Sequence, residues 1–201
     1  MRRRRHKSNK GKIAALAVMV VIVISIVAAY QLTSNNSASM PVLTHSKVLM
    51  ITSMGNFTIQ LYDDMPITAG NFIDLIDASA YDGTIFHRIV QSFVVQGGDV
   101  SRTYGIVPPI ADEFLGKHHN TVGMVAMAKV SSVSGIVPNS ATSQFFINLK
   151  DNSATLDKDF SVFGKVISGM DVVQQIGVVP VNATTERPLQ DVTLFSATFL
   201  D

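Results

Sequence analysis

The chain of 201 residues carries sixteen Lys and Arg against fifteen Asp and Glu, a formal +1, and has no cysteine. The missing cysteine excludes a disulfide framework, thiol catalysis and a zinc–thiolate site. Seven of the cations precede residue 13, so the nine beyond it face fifteen carboxylates, a formal −6 that excludes an electrostatic footprint for nucleic acid.

Taken in chain order, residues 1–12 form a basic tail with Arg2, Arg3, Arg4, Arg5, Lys7, Lys10 and Lys12. Residues 13–30 follow without a charge and with one clearly polar side chain, Ser25, a length within the range that spans a bilayer. The segment is read as a transmembrane helix that keeps the N-terminus cytoplasmic and places the rest outside the cytoplasm. A cleaved signal, releasing a secreted protein, is the competing reading, because Val27-Ala28-Ala29 offers small residues; an apolar run this long favours the anchor. Residues 31–45, rich in Ser, Asn and Thr, read as a flexible linker.

Residues 46–201 are long enough for one domain with its own core. Lys47 to Thr52 and Asn56 to Tyr62 flank Met54-Gly55, and Phe57, Ile59 and Leu61 alternate cleanly, which predicts a β-hairpin. Asp63-Asp64-Met65-Pro66 predicts a helix start with an acidic cap, and Phe72, Ile73, Leu75 and Ile76 carry its stripe to about Ser79. Further strands are predicted at 123–127, 144–148, 161–166 and 192–198, with a second helix at 170–176. Many short strands and only two helices predict an all-β fold, a barrel or sandwich with appended helices. His118-His119 lacks a carboxylate at ligand spacing and reads as solvated loop; no metal and no cofactor is expected.

The stretch from Phe86 to Asp99 carries the chemistry. Arg88 is a permanent cation with five donors in a rigid fork, set among Ile89, Phe93 and Val94 ahead of Gln96-Gly97-Gly98. Phe86-His87-Arg88 with Phe93 and Gln96-Gly97-Gly98-Asp99 resembles the signature of the cyclophilin family of peptidyl-prolyl isomerases. Three more blocks follow in the family's order: Gly123 to Ala128, Ser143 to Ile147, and Leu156-Asp157 with Val162 to Val166. Together with the N-terminal segment they fit a membrane-anchored prokaryotic member.

The resemblance implies a closed antiparallel β-barrel of about eight strands capped by two helices. It implies cis–trans isomerisation of X-Pro bonds in proline-containing polypeptides, with Arg88 catalytic. Phe93, Val94, Phe146 and Leu156 would wall the proline pocket, with Phe160 standing where the family has a histidine. Gln96, Gln144 and the backbone at Ala128 and Lys129 would hold the substrate chain, and His87 would help to place the arginine. Thr155 stands where well-studied members have a tryptophan, and the loops over residues 101–110 and 129–142 depart from the family pattern. An independent check comes from strand alternation, which puts Gln144 and Phe146 on one face and Phe145 and Ile147 on the other. The implied partners are folding polypeptides and the membrane, not nucleic acid, and the domain is expected to act as a monomer. A non-catalytic proline-peptide-binding or chaperone module at the membrane surface is the alternative.

Overall fold

The computed structural model describes residues 46–200. The tail, the apolar segment 13–30 and the linker read from the sequence lie outside the described residues. Among the described residues no helix is long and apolar enough to cross a membrane.

The chain opens with the hairpin β1 (Lys47–Thr52) and β2 (Gly55–Leu61), joined by a turn in which Gly55 takes φ 124°, a conformation that L side chains rarely adopt. Helix α1 (Pro66–Asp77) follows and buries Ala69, Phe72, Leu75 and Ile76. Its N-terminus is not capped by Asp63 or Asp64. Glu113, from a distant loop, accepts the free N–H groups of Ile67 (3.2 Å) and Thr68 (2.9 Å). Asp64 is instead engaged by Lys117 and by His118 Nε2 at 2.9 Å. A carboxylate at a helix N-terminus satisfies orphan donors and the dipole wherever in the sequence it comes from.

The remaining elements are β3 (Arg88–Val90), β4 (Val94–Gly97), β5 (Met124–Met127), β6 (Ser131–Ser132), β7 (Gly135–Ile136), β8 (Phe145–Asn148), α2 (Ser153–Leu156), β9 (Val162–Ser168), α3 (Met170–Ile176) and β10 (Leu194–Leu200). Eight strands form one antiparallel sheet in the order β10-β1-β2-β9-β5-β8-β4-β3, and β6 and β7 make a small hairpin of their own. Compared with the expected two helices, the described residues hold a third, the single turn α2.

The sheet curls but does not close, which corrects the expected closed barrel to a half-barrel. Closure would need a ladder between β3 and β10. β3 has three residues, and the chain before it meets residues near the start of β10 at one isolated bridge, Ile85 to Thr193. The outer edge of β3 is taken by the loop before β10, where the Glu186 carbonyl accepts the Ile89 N–H at 2.8 Å.

Side-chain alternation sorts the apolar residues into two clusters. The larger holds Phe57, Phe72, Tyr81, Phe86, Phe145 and Phe163, all at most 1% exposed, and supplies most of the burial that stabilises the domain. The smaller, on the other face, holds Val94, Ala126, Phe146 and Val162, with Phe93, Leu156 and Phe160 packed against it. The smaller cluster is the floor of the site.

Candidate active site

Register builds the site. Arg88 lies opposite Gln96, Gln96 opposite Phe146, and Phe146 opposite Ala126, so four strands contribute one residue each to a single row. Directly opposed residues project from the same face. The row therefore sets a cation, an amide and a ring side by side over the small cluster.

Above it opens a cleft of about 340 Å³ lined by Arg88, Phe93, Val94, Gln96, Ala128, Lys129, Ser131, Phe146, Leu156 and Phe160. Its volume falls in the range of small-ligand sites, roughly 300–1,000 Å³. Phe160 stands edge-on to Phe146 at 5.4 Å, so the wall is apolar at that corner. Gln144 and His87, also named from the sequence, do not line this cleft. Gln144 lies in an adjoining cavity with Ala128, Lys129, Val130, Ser140 and Thr142. Thr155 is exposed, and its hydroxyl donates to the Asn152 carbonyl at 3.1 Å.

The polar side chains form a relay. Arg88 Nε donates to Glu186 Oε2 at 2.7 Å and Nη1 donates to Gln96 Oε1 at 3.2 Å. Because Gln96 turns its oxygen to the cation, its Nε2 is free to donate to Gln144 Oε1 at 2.9 Å. Two of the five guanidinium donors are thus held, and three remain for the cleft. The Arg88 and Glu186 side chains are 39% and 40% exposed, and a pair this open stabilises a fold by at most about 1 kcal/mol.

His87 faces a separate cavity with Asp99, Ser101, Arg102, Thr185 and Arg187, and its Nδ1 is buried without a partner among the described residues. Burial pushes the imidazole below its ordinary 6.5, against the pull of the Asp99 carboxylate. The unfolded chain therefore binds a proton just below pH 6.5 that the folded chain refuses, and stability falls as acid is added through that window. The depressed carboxylates Asp64, Asp99, Asp151 and Asp157, lowered from an ordinary 3.8, lose their contribution only below about pH 5. We expect the urea midpoint to decline between pH 7 and 5 and His87→Phe to flatten that slope. An unchanged slope in the variant would remove His87 as its source.

Two supports were missed in the sequence. Asn120, Asn148 and Asn152 are all at most 3% exposed and join into a buried amide network. Asn152 Nδ2 donates to the Phe93 carbonyl (3.1 Å), and Asn152 precedes α2, which carries Leu156, so the network fixes two walls of the cleft at once. The second support ties the divergent loop 129–142 to the segment just after the other, at Asp112. Lys129 Nζ, on a side chain only 4% exposed, meets Asp112 Oδ2 at 2.7 Å, and Asp112 exchanges hydrogen bonds with Asn139. Lys129 thus borders the cleft, with its ammonium committed to the loop joint. Of the pair His118-His119, both in a loop, His119 is exposed as expected and only His118 is partly covered. His118 stacks on Tyr62 at 4.2 Å, and His119 Nδ1 meets Asp157 Oδ2 at 2.7 Å. Among the described residues no cluster of metal-ligating side chains occurs.

Comparison with known proteins places this arrangement. The family model for cyclophilin type peptidyl-prolyl cis-trans isomerases matches residues 47–199. A peptidyl-prolyl cis-trans isomerase of Acinetobacter baylyi is 42% identical over 146 residues, covering 69% of this chain and 75% of the relative. Peptidyl-prolyl cis-trans isomerase A of Dickeya dadantii is 39% identical over 144 residues, covering 68% and 73%. A crystal structure of a Cryptosporidium parvum cyclophilin type isomerase, in the presence of the dipeptide Ala-Pro, aligns with TM-score 0.68 at 25% identity over 77% of this chain and 99% of that one. With matching motifs, a curled sheet and an arginine over an apolar cleft, the chain belongs to the cyclophilin-type peptidyl-prolyl cis-trans isomerases.

Proposed function

We propose that this isomerase works as a membrane-tethered monomer on polypeptides outside the cytoplasm, with Arg88 as its catalytic cation. The observation that carries the catalytic assignment is the row Arg88–Gln96–Phe146, which sets a half-free guanidinium beside an apolar cleft. An amide resists rotation by roughly 18–20 kcal/mol because nitrogen donates its lone pair into the carbonyl. At X-Pro the isomers lie within about 0.5–1 kcal/mol of each other, yet exchange takes tens of seconds or more. No covalent bond has to break. Phe93, Phe146, Leu156 and Phe160 hold the pyrrolidine ring while the carbonyl side turns. As the bond twists, the nitrogen lone pair is released, and a free Arg88 N–H donates to it. The interaction exists only in the twisted state, so it lowers the barrier without tightening the ground state.

The tether rests on the seven cations before residue 13 and the uncharged run 13–30. Holding the enzyme at the face where exported chains emerge raises its effective concentration on them. Protease added to sealed right-side-out vesicles from cells making the full chain tests the placement. The isomerase domain is expected to be digested while a short cytoplasmic tail fragment survives in the membrane fraction. A domain fully protected from the outside would overturn the placement, and one recovered in the soluble external fraction would establish a cleaved signal.

A further inference from the structure

Glu186 is not among the residues that line the cleft, yet it holds the arginine twice. Its side chain takes Arg88 Nε at 2.7 Å, and its main-chain carbonyl takes the N–H of Ile89, the next residue, at 2.8 Å. The backbone there is unusual: Glu186 has φ 57°, a left-handed conformation rare for a residue with a long side chain. That conformation is enforced locally. The Glu186 N–H donates to the Asn182 carbonyl, the Asn182 N–H to the Arg187 carbonyl, and Asn182 Oδ1 accepts from Thr184 and Thr185. A short bridge, Val181 to Pro188, closes the loop. The loop is a built clamp whose strained residue carries the carboxylate.

Stability does not explain the clamp's side chain, since an ion pair this exposed adds little to the fold. Orientation does. With Glu186 on Nε and Gln96 on Nη1, the guanidinium plane is fixed by two partners on different sides of the fork, and three of its donors are left without a protein partner among the described residues. A guanidinium with one partner can swing about its stem, and misplacement by about 1 Å can cost on the order of 100-fold in rate.

We infer that Glu186 is a positioning residue for catalysis: it locks the Arg88 guanidinium in the rotational setting that reaches the twisted prolyl nitrogen. The inference rests on the reading of Arg88 as the catalytic cation, and the two can fail separately.

The test uses the full chain in detergent micelles and exchange NMR on an Ala-Pro-Phe peptide, which separates on-enzyme rotation from binding. Glu186→Ala is expected to slow rotation about tenfold, leave the peptide's Kd within twofold, and shift the thermal midpoint by only a few degrees. Glu186→Gln keeps an oxygen for Nε and is expected to recover to within about threefold of the parent. In an Arg88→Ala background Glu186→Ala is expected to change nothing further. Rotation within twofold of the parent in Glu186→Ala overturns the inference. The same tenfold loss with Arg88 already absent also overturns it, because Glu186 would then act by another route. Full activity in Arg88→Ala itself strikes the catalytic reading instead.

Discussion

Arg88→Ala is expected to lower kcat/KM on an Ala-Pro-Phe peptide by about 100- to 1,000-fold while the fold stays intact. The magnitude follows from removing one preorganised donor aimed at a group that gains electron density only in the transition state, about 2.7–4 kcal/mol of barrier. Stability should hardly change. The side chain is 39% exposed, and its pair with Glu186 contributes little, so circular dichroism and the thermal midpoint are expected to match the parent closely. Arg88→Lys is the sharper companion. It keeps the charge but cannot place one donor on Glu186, another on Gln96 and still present a third to the cleft in one rigid plane. Its activity is expected to lie near that of Arg88→Ala. A lysine variant with near-parental activity would show that charge alone suffices and that the fork geometry is unnecessary. An alanine variant with parental activity would remove Arg88 from the mechanism altogether.

The sequence made local features legible and left distant pairings hidden. The period-two pattern of Phe57, Ile59 and Leu61 placed β2, and the helical stripe through Phe72 and Leu75 placed α1, because burial of one face is written in consecutive residues. Alternation through Gln144, Phe145 and Phe146 assigned two faces before any sheet was known, and Phe145 and Phe146 do fall in different clusters. What stayed hidden depends on chain segments far apart. Glu186 reaches Arg88 across 98 positions, and Glu113 caps α1 from 46 positions away. Asp63-Asp64 looked like the cap because a nearby carboxylate is the usual one. Nothing local shows that Lys117 and His118 already occupy Asp64. The open edge of the sheet was equally hidden, since strand count does not say whether the first and last neighbours meet. The loop over residues 129–142 read only as a departure from the family pattern. Its ordering by the small hairpin β6–β7 and the Lys129–Asp112 pair needs a partner loop that composition cannot identify.

Phe145→Ala is expected to cost about 3–5 kcal/mol of stability, while its neighbour's replacement, Phe146→Ala, costs less fold and more function. Phe145 is completely buried at the middle of the large cluster. Its ring meets Phe72 at 5.4 Å, Tyr81 at 5.7 Å and Phe86 at 6.3 Å, each within a few degrees of perpendicular. Such edge-to-face contacts add to the burial term. The surroundings cannot readily collapse into the space. Gly98 already sits so close that a Cβ built there would come within 2.7 Å of the Phe145 ring, and its φ of 76° keeps the turn tight. Transfer and cavity terms therefore both apply in full. A domain stable by roughly 5–15 kcal/mol loses a large share of that margin, so the urea midpoint should fall sharply with an unchanged slope. Phe146 is 4% exposed, but its ring lies in the small cluster against Phe160, where one side opens onto the cleft. Removing it deepens a solvent-reached pocket rather than sealing a void, so the stability loss should be about half as large. Peptide affinity should fall tenfold or more. The two residues are consecutive and chemically identical, which leaves the strand's period of two as the only difference between them. If Phe146→Ala proved the more destabilising change, or Phe145→Ala weakened peptide binding in the fraction that remains folded, the division of this strand into a core face and a cleft face would be wrong, and the row that carries Arg88 and Gln96 would lose its footing with it.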